Sequence, residues 1–183
     1  MNNRKFVPAG FPTGLDEEHI YRLGEVAVLA ARLEFEAAVI VWDLIDDDRD
    51  IGMSVTAGMS FQAVNKLISQ LIAKRFPSND ALFRQSQNVT KEGEAVMNLR
   101  NRLLHGYWEE SSLDSPHPTL STRARANANR PASVLEDSMT VDEIQEVAAR
   151  IDSADGSYHF LHLELLVQLQ RFPGVSGVFR SEA

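Results

Sequence analysis

Apolar residues recur at helical spacing along most of this chain. From Asp16 to about Leu44 they return every third or fourth position, and a neighbouring apolar row widens the stripe. A stripe this broad is typical of a helix that buries one face in a core. Asp16 is placed to cap the start of the helix, and Glu17 and Glu18 suit its first turn. The sequence therefore predicts a long first helix over this segment.

Two further helices are predicted in the next sixty residues. Ser60 can cap the second, which runs to about Arg75, and the segment Asp46 to Gly58 reads as the connection before it. The third helix is expected from near Asn79 to roughly Leu104, and Gly106 is a natural stop after it.

The fourth helix follows a long connection. Residues 107–139 lack helical periodicity, and weak alternation from Thr119 to Ala126 favours a long loop or a short β-hairpin. Thr140 and Glu143 then form a capping box, and the apolar register holds across Gly156. The prediction is an all-α fold: a four-helix up-and-down bundle with this insertion before the last helix.

Length and composition suit one such domain. The chain is 44% hydrophobic, enough for one core, so we expect a flexible arm over 1–15, one helical domain over 16–172 and a tail over 173–183. There is no cysteine, which excludes disulfides, thiolate chemistry and a cysteine zinc site. Residues 1–14 do not resemble a signal peptide and no apolar run is long enough to cross a membrane, so we expect a cytoplasmic protein with no membrane partner.

Charge is unevenly distributed along the sequence. The formal net charge of −8 argues against broad coating of nucleic acid. The first fifty residues are rich in acids, whereas the stretch from residue 100 to residue 130 is rich in arginine. Any face that meets an anion should be built from that second stretch, whose basic residues are Arg100, Arg102, Arg123, Arg125 and Arg130.

The segment Arg100-Asn101-Arg102-Leu103-Leu104-His105 is the best candidate for chemistry. On a helix Asn101 and His105 lie one turn apart on one face, and Arg100 lies toward the core. Histidine can move a proton near neutral pH, and arginine can bind a phosphate and stabilise developing charge. The alternative is structural: an arginine at the rim of the core and a histidine that interacts with the helix dipole.

This segment, from Leu99 to Gly106, resembles the signature of the HEPN superfamily of small helical bundles. That signature is an arginine, usually followed by a polar residue, and a histidine separated from the arginine by four to six residues, near the end of a bundle helix. Here the polar residue is Asn101, and four residues separate Arg100 from His105. The predicted bundle extends the resemblance to most of residues 16–172.

The resemblance implies a metal-independent endoribonuclease that acts as a homodimer on RNA, with two motifs meeting at the interface. His105 would then be the general base or acid at the ribose 2′-hydroxyl, Arg100 would stabilise the transition state, and Asn101 would support the geometry. The product would carry a cyclic phosphate, and no cofactor or metal is expected. Other members are inactive modules that bind nucleotides, antitoxins or nucleotidyltransferases, in toxin–antitoxin or defence systems, and this alternative stays open.

Several further residues are candidates to support the motif. Glu34 lies among alanines in the first helix, and we expect it to pair with Arg100 or Arg102, unless it is a glutamate that reaches water. Aromatic and basic side chains after the motif can stack or guide RNA, although packing or solvation is the commoner use. These residues are Tyr107, Trp108, His117, Arg123, Arg125 and Arg130.

Two patterns resemble metal sites. Asp46 to Asp50 alternates acids like the start of a calcium loop, but Ile51 and Ala57 stand where that loop needs glycine and glutamate. His159 and His162 are three positions apart on the last helix and lack a convincing third ligand. We therefore predict no metal site at either place.

Overall fold

The computed structural model describes residues 15–45, 49–109, 118–124 and 133–169. Within these ranges the fold is mostly helical, with a small antiparallel sheet before the last helix. The elements are α1 (Glu17–Ile45), α2 (Arg49–Thr56), α3 (Phe61–Arg75), α4 (Asp80–His105), β1 (Tyr107–Glu109), β2 (Thr119–Ala124), β3 (Ser133–Ser138) and α5 (Val141–Gln168).

The helix starts lie where the capping residues predicted them. The Asp16 carboxylate accepts the backbone N–H groups of Glu18 and His19 at 3.0 and 2.9 Å, and the bond from the His19 backbone holds the pKa of Asp16 below its usual value. Ser60 accepts the N–H of Ala63 at 3.2 Å. The capping residues confirm the sequence interpretation because their side chains satisfy backbone groups that the first turn leaves open.

The capping box at the start of α5 is formed. The Glu143 backbone N–H donates to Thr140 Oγ1 at 3.2 Å, and the Thr140 backbone N–H donates to Glu143 Oε2 at 2.7 Å. Thr140→Ala removes one of these bonds, so we expect a free energy of unfolding lower by about 1 kcal/mol in urea denaturation. Ser153→Ala, exposed in the middle of the same helix, is the control and should change it by less than about 0.5 kcal/mol. Equal changes in the two variants would contradict this prediction.

The connection between the first two predicted helices contains a helix of its own. α2 folds back against the end of α1, where the Trp42 indole N–H donates to Thr56 Oγ1 at 2.8 Å and Gly52 lies against the Trp42 side chain. The prediction of a plain connection over Asp46 to Gly58 was therefore wrong. A calcium loop is also incompatible with helical residues from Arg49 onward, and Asp46 to Asp48 lie outside the described residues.

The four long helices pack in pairs that are compatible with a four-helix bundle. α1 packs on α3 and α5, and α4 packs on the same two helices. Arg32 of α1 bonds to Asp155 of α5, and Glu36, which comes later in α1, bonds to His162, which comes later in α5. The two helices therefore run in the same direction. A strictly alternating up-and-down order does not fit this pair. The physical reason is α2, which turns the chain back before α3 begins.

The insertion before α5 forms a three-stranded sheet with the order β1-β2-β3. Trp108 pairs with Leu120, and Leu120 pairs with Asp137. Leu120 is fully buried, so the sheet is joined to the helical core instead of extending from it. The insertion predicted as a loop or a two-stranded hairpin thus has a third strand, β1, which starts two residues after α4 ends.

A buried polar contact lies at the centre of the helical core. The Tyr158 hydroxyl has no exposed surface and donates to Asn65 Oδ1 at 2.7 Å, and Asn65 Nδ2 donates to the Thr90 carbonyl at 3.3 Å. Burial raises the pKa of Tyr158, so the hydroxyl stays protonated and acts as the donor. The tyrosine ring lies directly against Gly93 of α4, where a Cβ atom would be 2.8 Å from Tyr158 Cε2.

Candidate functional site

The candidate site is the end of α4 and the first residues of β1. α4 ends at His105, and the Gly106 backbone N–H donates to the Arg102 carbonyl at 3.0 Å. Trp108 is buried, and its indole N–H donates to the Leu103 carbonyl at 3.0 Å. This bond fixes β1 to the last turn of α4 and thereby positions the residues between them.

Arg100 is held by its neighbour in the motif. The side chain is half-buried, and Nη1 donates to Asn101 Oδ1 at 2.8 Å. Its Nε is buried and has no hydrogen-bond partner within the described residues. The asparagine therefore orients the guanidinium, which keeps N–H donors for a phosphate oxygen.

Arg102 has a structural role. It forms an ion pair with Asp137 of β3, which links the motif helix to the far strand of the sheet. Asp137 neutralises the guanidinium at this position, so Arg102 contributes less positive charge to the site than the sequence suggested.

His105 and Tyr107 are the exposed members of the site. His105 is exposed and makes no side-chain hydrogen bond within the part of the chain that the structure describes, and Tyr107 is 68% exposed. On an α-helix Arg100 and His105 point about 140° apart, whereas Asn101 and His105 are about 40° apart. The amide and the imidazole therefore share one face of α4, and Arg100 leaves the helix at a different angle although its guanidinium bonds to Asn101.

For Glu34 and Trp108 the described contacts agree with the alternatives that the sequence left open, an exposed glutamate and a packed tryptophan. Glu34 does not pair with Arg100 or Arg102, because Asn101 and Asp137 take those guanidinium groups. Trp108 is not available to stack a base, since pairing within the sheet and the bond to Leu103 bury it. Its neighbour Tyr107 keeps that possibility.

Glu34 instead lines a groove beside the motif. The groove has a volume of about 510 Å³ and lies between α1, the start of α3 and α4. Glu94, Asn98 and Asn101 lie on its α4 side, and Met59 and Phe61 are on its α3 side. Its two carboxylates make it a poor place for a phosphate, so of the groups at this end of α4 the guanidinium of Arg100 is better suited to an anion.

The basic residues after the motif are mostly outside the described structure. The backbone of Arg123 belongs to β2, but nothing is described of its side chain. His117, Arg125 and Arg130 lie outside the described residues. A role for these residues in binding RNA stays a prediction.

A cluster of charged residues between α1 and α5 was missed by the sequence analysis. His162 Nδ1 lies 2.9 Å from Glu36 Oε1, and its Nε2 lies 2.6 Å from Asp43 Oδ2. Each ring nitrogen of His162 thus lies within hydrogen-bond distance of a carboxylate oxygen, so the imidazole links two acidic side chains of α1. The signal for this cluster in the sequence was weak, because its residues meet only if α1 and α5 run in the same direction, and the sequence pattern does not specify that direction.

His162→Leu is expected to lower the free energy of unfolding by about 1–2 kcal/mol, because it leaves partly buried carboxylates without this partner. Urea denaturation measures the change. The control is His159→Leu, the same substitution at a side chain that is 61% exposed, which should stay within about 0.5 kcal/mol of wild type. If the His162 variant were as stable as the control, the cluster would have no structural role.

The described residues contain no group of three or more acidic or histidine side chains arranged to hold a metal ion. Among the same residues, no helix is both long and apolar enough to span a bilayer.

Comparison with known proteins finds no matching family model, no similar curated protein and no similar solved structure.

Proposed function

We propose that this chain is a metal-independent endoribonuclease of HEPN type, a cytoplasmic four-helix protein whose active site is completed at a homodimer interface. The observation that carries the proposal is the imidazole of His105, which is exposed and has no hydrogen bond within the described residues. It lies on the same face as Asn101, which in turn orients Arg100. The resemblance of Leu99–Gly106 to the HEPN signature supplies the reaction class.

The reaction is a transfer of phosphorus from one oxygen of the RNA to another. His105 removes the proton from the ribose 2′-hydroxyl, whose oxygen attacks the adjacent phosphorus. The bond to the 5′-oxygen of the next nucleotide breaks, and that oxygen leaves with a proton from an imidazolium. The products are a 2′,3′-cyclic phosphate and a 5′-hydroxyl, so atoms and charge balance without a further reactant. Arg100 stabilises the extra charge on the phosphate oxygens in the transition state.

Two features favour a dimer for this chemistry. The reaction needs a base and an acid, and each copy of the described chain offers one exposed imidazole in the motif. Arg100 and His105 also leave the backbone of α4 about 140° apart, so a second copy offers another route for an imidazole to reach a phosphate held by Arg100.

The second candidate function is an inactive module that binds a nucleotide or a partner protein, such as an antitoxin or a nucleotidyltransferase. It is favoured by the charge around the motif. Arg102 is paired with Asp137, and the adjoining groove contains Glu34 and Glu94, so fewer cations face an RNA backbone than the sequence suggested.

The test is cleavage of a broad panel of RNAs by the purified full chain in excess EDTA, with analysis of the product ends. The proposal predicts cleavage that leaves cyclic phosphates, and no cleavage by the Arg100→Ala variant. A well-folded protein that cleaves no RNA in the panel would exclude the nuclease and support the binding module, which nucleotide titration would then examine.

A further inference from the structure

α1 carries an exposed apolar face that no other described element covers. Tyr21 is 67% exposed, Val28 70% and Phe35 56%, and they are seven positions apart. Small residues lie between them at Gly24, Ala31 and Ala38, so the intervals alternate between three and four positions. We refer to these six residues as the α1 stripe. Their spacing is that of a coiled-coil seam, in which one helix packs against another.

The sizes of the side chains in the α1 stripe determine which partner fits. When two copies of α1 are set antiparallel with Val28 facing Ala31 of the partner subunit, every large residue meets a small one. Tyr21 then faces Ala38 of the partner subunit, and Phe35 faces Gly24 of the partner subunit. The register is unchanged when the two copies are exchanged, which is the condition for a two-fold dimer.

The surface around Gly24 has the matching shape. Gly24 lines a depression of about 470 Å³ whose other lining residues are apolar except for Glu25: Ile20, Tyr21, Val28 and Leu29. In the antiparallel register this depression receives Phe35 of the partner subunit. An exposed aromatic side chain and an apolar depression on the same face of one helix are thus complementary between two copies.

Charged residues beside the α1 stripe agree with the same register. Glu25 and Arg32 flank the stripe on one side, and antiparallel packing brings Glu25 of each copy next to Arg32 of the other. Arg32 bonds to Asp152 at 2.6 Å and to Asp155 at 2.8 Å, and because its side chain is 53% exposed, Glu25 of the partner subunit would be a third carboxylate beside it. Two opposite-charge contacts therefore accompany the apolar packing.

We propose that the α1 stripe is a homodimer interface, in which two copies pack their first helices antiparallel with Val28 against Ala31. Glu34 flanks the stripe on the side opposite Arg32 and lines the groove that also holds Asn101. Because a two-fold axis keeps this flank on one side of the helix pair, both grooves and both motif helices open on the same face of the dimer. The inference rests on the proposed function for that consequence, whereas the evidence for the stripe is independent of the motif.

The test is the oligomeric state of the full chain, measured by sedimentation at several protein concentrations. Wild type should be a dimer, and Val28→Glu should raise the dissociation constant of the dimer at least about 30-fold. The control is Val55→Glu, the same change at a valine of α2 that is 43% exposed, which should stay dimeric. A monomeric wild type, or a Val28→Glu protein as dimeric as the control, would overturn the interface.

Cysteine crosslinking tests the register, since the chain has no cysteine of its own. Tyr21→Cys mixed with Ala38→Cys should form a disulfide between the two variants under mild oxidation. Tyr21→Cys alone should not, because the two copies of that position lie about 25 Å apart along the helices. Self-crosslinking of Tyr21→Cys would exclude the antiparallel register, and this readout does not depend on how the glutamate variant folds.

The interface and the nuclease can fail separately. A wild-type dimer that Val28→Glu dissociates but that cleaves no RNA would retain the interface and reject the proposed function. RNA cleavage by a dimer whose dissociation constant Val28→Glu leaves unchanged would reject the interface and retain the proposed function.

Discussion

Alanine in place of His105 is expected to lower the rate of RNA cleavage by about 10²- to 10⁴-fold, which is the usual contribution of a positioned general acid or base. The side chain is exposed and makes no hydrogen bond within the described residues. Its removal should therefore leave folding intact, so the loss would reflect chemistry. The measurement is the initial cleavage rate in excess EDTA, alongside a urea denaturation curve.

The matched control for this variant is His159→Ala. His159 is also an exposed histidine, with 61% of its side chain accessible, but it lies on α5 among the carboxylates of the α1–α5 cluster. We expect wild-type cleavage from it. A rate for His105→Ala within about threefold of this control would show that His105 takes no part in proton transfer.

Alanine at Gly93 is expected to lower the free energy of unfolding by about 2 kcal/mol, within the range for overpacked cores. A Cβ atom there would lie 2.8 Å from Cε2 of Tyr158, which is closer than real contacts allow. The tyrosine ring cannot move aside easily, because it is fully buried and its hydroxyl is bonded to Asn65. Urea denaturation measures the effect.

The same substitution at Gly156 should have the opposite sign. Gly156 lies inside α5, and a Cβ atom there meets nothing within 4 Å. Alanine is the better helix former, so Gly156→Ala should raise the free energy of unfolding by about 0.5–1 kcal/mol. Two glycine-to-alanine changes with the same sign would contradict the packing described around Tyr158.

Features that depend on neighbouring residues were predictable from the sequence. Asp16, Ser60 and Thr140 cap their helices as expected, since a cap involves only the next three or four positions. The continuous helix across Gly156 followed from the apolar register on both sides of it. α2 was missed because it has only eight residues, and its helical form depends on packing against Trp42.

Features that depend on distant residues were not predictable. The partner of Arg102 is Asp137, which is thirty-five positions away and reaches it only because the sheet folds back onto α4. The contacts of His162 with Glu36 and Asp43 require α1 and α5 to run in the same direction, whereas an alternating bundle would have separated these residues. In the site itself, the end of α4 at His105 was predicted correctly. The ion pair of Arg102 with Asp137 and the acidic groove beside Asn101 were not predicted.

The most direct test of the central claim uses an RNA with one 2′-deoxynucleotide at the mapped cleavage position. The account makes the 2′-oxygen of that nucleotide the nucleophile, so cleavage there should be lost while the matching all-ribose RNA yields a 2′,3′-cyclic phosphate in excess EDTA. Cleavage of the deoxy-substituted RNA at the same position, leaving a 3′-hydroxyl and a 5′-phosphate, would contradict the account, because water would then be the nucleophile and His105 would have no 2′-hydroxyl to deprotonate.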